Sequence, residues 1–239
     1  MASSTAPLPR GEDKRRAVRA MFDTIAPRYD LVNRVMTFRM DVAWRRRTVA
    51  GLRLPGHSLV LDLACGTGDL CRHLAEAGLR PVGCDLSYGM LASARTTAPL
   101  LQADALVLPL RDRSVDGVTC GFALRNLVSL EPFLAELGRV VRPHGRVGLL
   151  EVATPPNPVM RWGHRVYFGT VVPVIGGVLS DRAAYRYLPR SVAYLPDVRR
   201  LLDMVGEAGF VDVERHRLSG GIAQLITATR AATLREGGR

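Results

Sequence analysis

Lysine is almost missing from this 239-residue chain: Lys14 stands alone among 33 basic residues, and arginine supplies the rest. Aromatic residues are scarce too, at 6%, with two tryptophans. The four cysteines (Cys65, Cys71, Cys84, Cys120) make no C-x-x-C pair and no metal-ligand spacing. That argues against a disulfide framework and against a zinc site, and no bound metal is expected. A reducing cytoplasm is the simplest home for such thiols. No stretch reaches the ~18 uncharged apolar residues of a spanning helix. The opening MASSTAPLPRGEDKRR holds no apolar run of the kind a signal peptide needs.

What is present is ordinary for a globular protein: 47% hydrophobic and 23% charged residues. The length fits one large domain with a substantial core. The net charge of +11 admits nucleic acid, an anionic membrane surface or an acidic small molecule as partner. Only Lys14-Arg15-Arg16 and Arg45-Arg46-Arg47 form runs. Most of the arginines therefore read as solvated faces.

Residues 1–11, rich in Ser, Pro and Ala, and residues 231–239 are expected to be tails around a single domain spanning 12–230. An N-terminal helical segment comes first. Ala17, Ala20, Met21 and Ile25 share one helix face that ends at Pro27, followed by helices carrying Leu31 to Met36 and Trp44. From residue 58 the texture changes. SLVLDLACG reads as a strand buried on both faces, and PVGCD (81–85), residues 100–105, VDGVTCGFA (115–123) and RVGLLEVA (146–153) follow. Helices are expected over 69–78, over 89–98 and after a Ser129 cap. The stretch 154–195 breaks the rhythm as an insertion. A helix from Pro196-Asp197 and a hairpin of DVERHRL and GIAQLITAT close the chain. The expected fold is α/β: a Rossmann-like, doubly wound, seven-stranded sheet, mostly parallel with a C-terminal antiparallel hairpin.

In such a sheet the ligand sits at the carboxyl ends of the strands. Asp62 to Asp69 (DLACGTGD) places Gly66, Thr67 and Gly68 at the first end. The third glycine of a dinucleotide fingerprint is replaced by Cys71, and no Walker lysine follows, so pyrophosphate binding is disfavoured. Asp85 ends the second strand, where a carboxylate accepts from a ribose. Asp104-Ala105 ends the third, and Gly121 to Asn126 the fourth. Acidic groups at successive strand ends suit a cationic cofactor without phosphate, and S-adenosylmethionine has that character.

This pattern resembles the class I S-adenosylmethionine-dependent methyltransferases, and flanking motifs narrow it. Tyr29 to Trp44 (YDLVNRVMTFRMDVAW), Phe122 to Asn126 (FALRN) and Arg139 to Thr154 (RVVRPHGRVGLLEVAT) are similar to signatures of the demethylmenaquinone/ubiquinone C-methyltransferase family. So are Tyr185 to Asp197 (YRYLPRSVAYLPD) and Leu218 to Leu225 (LSGGIAQL). The resemblance runs from about residue 15 to 230. Departures from the family pattern include Asp41 where many members have His, Gly121 for a Ser, and Ile226-Thr227-Ala228-Thr229 in place of a His-x-Gly-Tyr.

The resemblance implies methyl transfer from S-adenosylmethionine to a ring carbon of a prenylated hydroquinone, with demethylmenaquinol the foremost candidate. Gly66, Thr67, Gly68, Asp85, Asp104, Ala105 and Gly121 are the expected cofactor contacts. Arg125, with Asn126 beside it, is the candidate for lowering the pKa of a ring hydroxyl, against the alternative of a structural ion pair. Tyr29, Asp30 and Asn33 are candidates for a lid. Asp41, Tyr185 and Tyr187 are weaker substrate-side candidates, with core packing an equal account of the two tyrosines. Val166 to Leu179 carries no charge, and reads either as an apolar wall for an isoprenoid tail or as core packing. Cys120 reads as a buried small hydrophobe. The expected partner is a lipid quinol rather than nucleic acid. Localisation is expected to be cytoplasmic, with peripheral contact at the inner face of a membrane left open. A paralogous enzyme for another aromatic or polyketide ring and an RNA methyltransferase are the rival readings; nothing in the sequence bears on oligomeric state.

Overall fold

The computed structural model describes residues 10–179, 181, 184, 187 and 190–232. Three helices open the chain: α1 (Gly11–Ile25), α2 (Tyr29–Met36) and α3 (Met40–Leu52). The alternating segment follows as β1 (Leu59–Leu63), α4 (Asp69–Glu76), β2 (Arg80–Asp85), α5 (Tyr88–Ala92), β3 (Leu100–Gln102), β4 (Val115–Gly121), α6 (Leu130–Val140) and β5 (Val141–Val152). The insertion contributes α7 (Pro158–Val166) and α8 (Val172–Leu179). The chain closes with α9 (Val198–Glu207), β6 (Phe210–Leu218) and β7 (Ala223–Arg230).

The seven strands form one sheet in the order β3-β2-β1-β4-β5-β7-β6. The first five are parallel, and β7 pairs antiparallel with both β5 and β6. This is the expected architecture. The apolar runs supply the core: Leu61, Leu63, Val118, Val147 and Leu149 are 1% exposed or less and pack with Phe133 and Leu137 of α6. The topological switch falls between β1 and β4, whose carboxyl ends carry the Gly66 turn and Phe122.

Local chemistry moved several boundaries. α5 stops at Ala92, six residues before the expected end, and the Arg95 N–H donates to Thr67 O at 3.0 Å rather than into the helix. Ser129 does not cap α6 with its side chain; its hydroxyl bonds to Glu131 instead. Asp197 does cap α9, accepting from the Arg199 and Arg200 N–H groups at 2.9 and 3.1 Å. The uncharged stretch after Arg165 does not break at Pro173: a π-helical turn at Tyr167–Val171 carries α7 into α8. That wider turn accommodates a residue without an N–H donor, so Pro173 starts a helix rather than ending one. The expected tails fall partly at residues 1–9 and 233–239, outside the described residues.

A carboxyl without an ion-pair partner among the described residues lies in the middle of the sheet. Asp62 on β1 is fully buried and faces Thr119 of β4 in the parallel register. The Thr119 hydroxyl donates to Oδ1 at 2.7 Å and the Cys71 thiol to Oδ2 at 3.5 Å. Desolvation outweighs both bonds and pushes the carboxyl up to about 7. A folded-state pKa above the unfolded value makes a stability contribution that is full below the unfolded carboxylate range and lost as pH rises through about 7. Asp62→Asn keeps the shape and removes the titration. Between pH 5 and 8 the Tm of the wild type is expected to fall by roughly 4 °C or more beyond that of Asp62→Asn. Parallel Tm–pH curves would refute the assignment.

Candidate functional site

Two cavities meet at the carboxyl edge of the sheet. The first, open to solvent and about 840 Å³ with the solvent at its mouth included, is bordered by Gly66, Asp85, Asp104, Ala105, Gly121 and Asn126, with Arg15, Phe22 and Tyr29 closing it from the N-terminal helices. The second, about 1300 Å³ with the solvent at its mouth included, lies among α2, α3, α7 and α8 and is mostly apolar. Tyr29 and Phe122 border both.

The first cavity is built on backbone geometry. Gly66 has φ +56° and Gly68 φ +82°, both in the left-handed region. A Cβ on Gly68 would lie 2.6 Å from the Thr96 methyl, so this glycine serves the turn into α4; the same atom on Gly66 would only touch Met90 Sδ, at 3.9 Å. The N–H groups of Gly66 and Ser87 donate to Oδ2 and Oδ1 of Asp85, each at 2.8 Å. Burial still pushes the Asp85 carboxyl above its ordinary range. Those bonds fix the carboxylate orientation at the tip of β2. Asp104 is engaged otherwise: Oδ1 accepts from Leu106 N–H at 2.9 Å and Oδ2 pairs with Arg15 of α1 at 3.1 Å. Thr67 and Gly68 do not border the cavity. The Thr67 hydroxyl donates to Asp30 of α2 at 2.5 Å, tying the N-terminal segment to the glycine turn.

The wall between the cavities is strained. Phe122 follows β4 with φ +60°, an uncommon conformation for a bulky residue. Its N–H donates to Leu150 O at 2.7 Å, and its carbonyl accepts from Arg125 Nη1 at 3.0 Å and Asn126 Nδ2 at 3.4 Å. Arg125 in turn forms a buried ion pair with Glu151 at the end of β5, and its Nε donates to Ser191 Oγ at 3.1 Å. The Arg125 N–H also reaches Glu151, at 3.2 Å. Arg125 thus borders the second cavity with its charge matched by Glu151. Asn126 faces the first, and its side-chain oxygen is buried without a partner among the described residues.

In the second cavity Asp41 is 1% exposed, accepting from Thr37 Oγ1 at 2.6 Å and pairing with Arg45. Arg45 also stands 3.6 Å from Asp69 of α4 and 5.7 Å over the Phe122 ring. Tyr29 is bonded through Asn33, and burial raises its phenol pKa. Tyr167 donates to Met36 O at 2.7 Å. His164 was not picked out by sequence reasoning. It borders the cavity, its ring centre lies 4.3 Å from that of Phe168, and its Nε2 is buried without a partner. Tyr187 borders a separate groove against α1, and Tyr185 lies outside the described residues. All four cysteines are free and buried; burial pushes the Cys84 thiol up to about 12, and Cys120 sits in the core. Among the described residues no cluster of His, Cys, Asp and Glu could hold a metal ion.

The model of the ubiE/COQ5 methyltransferase family matches residues 10–230. A demethylmenaquinone methyltransferase of Thermus thermophilus is 43% identical over 220 residues, covering 88% of this chain and all of that one. A ubiquinone/menaquinone biosynthesis C-methyltransferase of Syntrophotalea carbinolica is 41% identical, covering 89% and 94%. Among solved structures, a chain of the complex between the Haloferax volcanii Trm112 methyltransferase activator and a methyltransferase superposes with a TM-score of 0.63 at 17% identity, covering 90% and 97%. Phosphoethanolamine N-methyltransferase 2 of Haemonchus contortus with bound S-adenosyl-L-methionine gives 0.57 at 14% identity, covering 77% and 52%. These structural likenesses concern the fold.

The Arg125–Glu151 pair generates a stability prediction. Removing either partner leaves the other charge buried, which costs about 3–5 kcal/mol. Arg125→Ala and Glu151→Ala are each expected to lose that much in urea unfolding, and the double substitution less than the sum. Additive losses would show that the two groups act independently.

Proposed function

The chain belongs to the ubiE/COQ5 methyltransferase family, and on that premise we propose that it is an S-adenosylmethionine-dependent enzyme that methylates a ring carbon of a prenylated hydroquinone, demethylmenaquinol to menaquinol. The observation that carries the reading is the pair of adjoining cavities, one edged by carboxylates and glycine backbone, the other large and apolar, sharing Tyr29 and Phe122. The residues of the first fit the cofactor. Gly66 leaves room for a close approach, Asp85 is fixed as an acceptor for ribose hydroxyls, and Asn126 Oδ1 is a buried acceptor in want of a donor. Asp104 would serve once Arg15 yields it. Gly121 and Ala105 contribute wall rather than polar contacts, and Thr67 and Gly68 shape the turn from behind. When bound, the cofactor supplies an electrophilic sulfonium methyl group.

The chain's own task is alignment and control of the acceptor. A ring carbon becomes a good nucleophile when a neighbouring hydroxyl ionises, at a cost of about 4 kcal/mol at pH 7 for a phenol-like pKa near ~10. Donors and cations at the cavity junction lower that cost. Asn126 is our candidate contact group there. Arg125, held by Glu151 and Ser191, is assigned as the residue that positions Phe122 and Asn126. Tyr29 and Asp30 bring α2 over the junction through the Thr67 bond. The apolar volume, bordered by Phe38, Met160, Tyr167, Phe168 and Val172, supports an isoprenoid-bearing ring over a nucleic acid strand, and makes the insertion the wall for the tail.

A lipid substrate asks for access from a bilayer. Among the described residues no helix is long and apolar enough to cross a membrane. The outer faces of α2 and α7, turned away from the second cavity, instead expose Leu31 and Val35 on one helix and Val159, Trp162 and Val166 on the other, with Phe38 exposed at the cavity's border. The two groups meet where the Phe38 and Tyr167 rings lie 5.9 Å apart. Arg39, Arg161 and Arg165 are exposed among them, and no carboxylate occurs between Asp30 and Asp41 or between Glu151 and Asp181. An apolar ridge set with arginines suits peripheral binding to an anionic bilayer.

Three measurements test the proposal. With labelled S-adenosylmethionine, label is expected in reduced demethylmenaquinone, ahead of a demethoxybenzoquinol and with none in bulk RNA; label in RNA alone would sink the reading. By calorimetry, Asp85→Asn is expected to weaken S-adenosylmethionine binding about tenfold to a hundredfold, while equal affinity would remove Asp85 from the site. Co-sedimentation is expected with phosphatidylglycerol-containing vesicles, weakening with salt and with Phe38→Ser/Trp162→Ser. Equal recovery with neutral vesicles, or an unaffected double variant, would contradict the docking face.

A further inference from the structure

The second cavity contains one polar group that nothing above uses. The other charged and hydroxyl-bearing side chains around it are already engaged: Asp41 with Arg45 and Thr37, Arg125 with Glu151, Tyr167 with Met36 O. Trp44 donates to Ser219 Oγ at 2.9 Å. His164, in the last turn of α7, is the exception among the described residues, with Nε2 buried and unpartnered. Buried polar atoms in native proteins are rarely left unsatisfied, and the exceptions call for a reason. The placement is constrained. The imidazole stacks on Phe168 at 4.3 Å and 34°, and the π-helical turn that starts at Tyr167 sets the helix phase between the two rings. Burial lowers the imidazole pKa, so near neutral pH the ring keeps one donor and one acceptor nitrogen.

Resting on the quinol reading above, we propose that His164 is a specificity-determining residue: it offers the hydrogen-bonding nitrogen that selects an acceptor ring carrying a hydroxyl on the side facing α7. A hydroxyl both donates and accepts, so it satisfies either imidazole tautomer, while a bare C–H leaves the nitrogen unpaired. A site built to bond a substrate hydroxyl rejects the analogue that lacks it because the protein group is then left unsatisfied. Around a largely apolar cavity, one such group also decides which way the ring is turned, and with it which carbon is presented.

The test compares wild type, His164→Phe and His164→Gln on three short-tailed acceptors: the dihydroxynaphthalene and the two naphthols lacking one hydroxyl or the other. Loss of a hydroxyl changes intrinsic ring reactivity alike for all three proteins, so the comparison between proteins isolates the side chain. In wild type, kcat/KM for the dihydroxy ring is expected to exceed that for one of the naphthols by about tenfold more than it does in His164→Phe. His164→Gln, which keeps a donor and an acceptor, restores part of the preference. The Tm of His164→Phe is expected to be equal to wild type or higher, because an apolar ring replaces an unpaired polar one. Equal preference in wild type and His164→Phe overturns the proposal, and so does a lowered Tm with the preference intact. If His164→Phe does not fold, His164→Leu, apolar and smaller, takes its place: a preference as steep as wild type's in that variant overturns the assignment. Should wild type bind S-adenosylmethionine yet methylate none of these rings or demethylmenaquinol, the quinol reading itself fails and this inference with it, an outcome distinct from turnover with unchanged preference.

Discussion

A buried ion pair, Arg125 with Glu151, holds the centre of this molecule together. Both side chains are almost wholly shielded from water, a position in which an unmatched charge is strongly destabilising. The pair ties the turn after β4 to the end of β5, and Arg125 carries the tie on to Ser191. It also lets one guanidinium nitrogen cap the carbonyl of Phe122, whose left-handed backbone would otherwise relax. Phe122 and Asn126 are therefore where they are because of Glu151; both border the first cavity, and Phe122 stands where it adjoins the second.

The division matters because the two compartments ask for opposite surroundings. A cationic, hydroxyl-rich cofactor is held by fixed acceptors on backbone that approaches closely; a prenylated ring is held by apolar surface with few directional groups. Placing both on the same strand ends requires a thin wall between them. Phe122 supplies it with one aromatic ring, and its strain is the consequence of turning that ring across the edge of the sheet. The N-terminal helices complete the arrangement from the other side. The Thr67–Asp30 bond and the Arg15–Asp104 pair bring α2 and α1 over the first cavity. Any entry or exit of a ligand on that side has to break contacts of this kind rather than the buried pair beneath.

The sheet was legible in the sequence because its signals are local: apolar runs of strand length, glycines at the first strand end, an Asp at the second, and a Ser-Gly-Gly turn in the hairpin. Asp85 and Gly66 could be read at once, since their spacing follows from a single strand–helix–strand unit. What could not be read is pairing across the chain. Glu151 lies 26 residues from Arg125, so sequence alone leaves the two accounts of that arginine open, and the structure supplies the partner. Asp104 looks like a free carboxylate until Arg15, 89 residues away, is placed against it. Ser129 has the residue type and position of a cap, yet a nearby Glu131 takes the hydroxyl. His164 sits in a stretch whose apolar texture hides a single polar group, and only the cavity gives it meaning. The π-helical turn that follows it leaves no mark in hydrophobic periodicity.

The charge balance shows the same division between local and long-range information. Composition alone makes a protein of +11 a candidate for binding nucleic acid. In the fold, many arginines are spent internally: Arg34, Arg45 and Arg72 converge on Asp69, Arg125 meets Glu151, and Arg139 and Arg142 hold the loop before β4 to α6 and β5. Guanidinium groups suit such places, since they stay charged when buried and bond in several directions at once. A lysine in their position would lose charge more readily, as the lowered pKa of buried Lys14, at about 8, illustrates. On the proposed reading, the excess relevant to a partner is the local one on the outer faces of α2 and α7, where arginines alternate with exposed apolar side chains and carboxylates are missing from the sequence on both sides. Nucleic acid wants a continuous cationic track, whereas the alternation seen here matches an interface that is apolar inside and anionic at its surface.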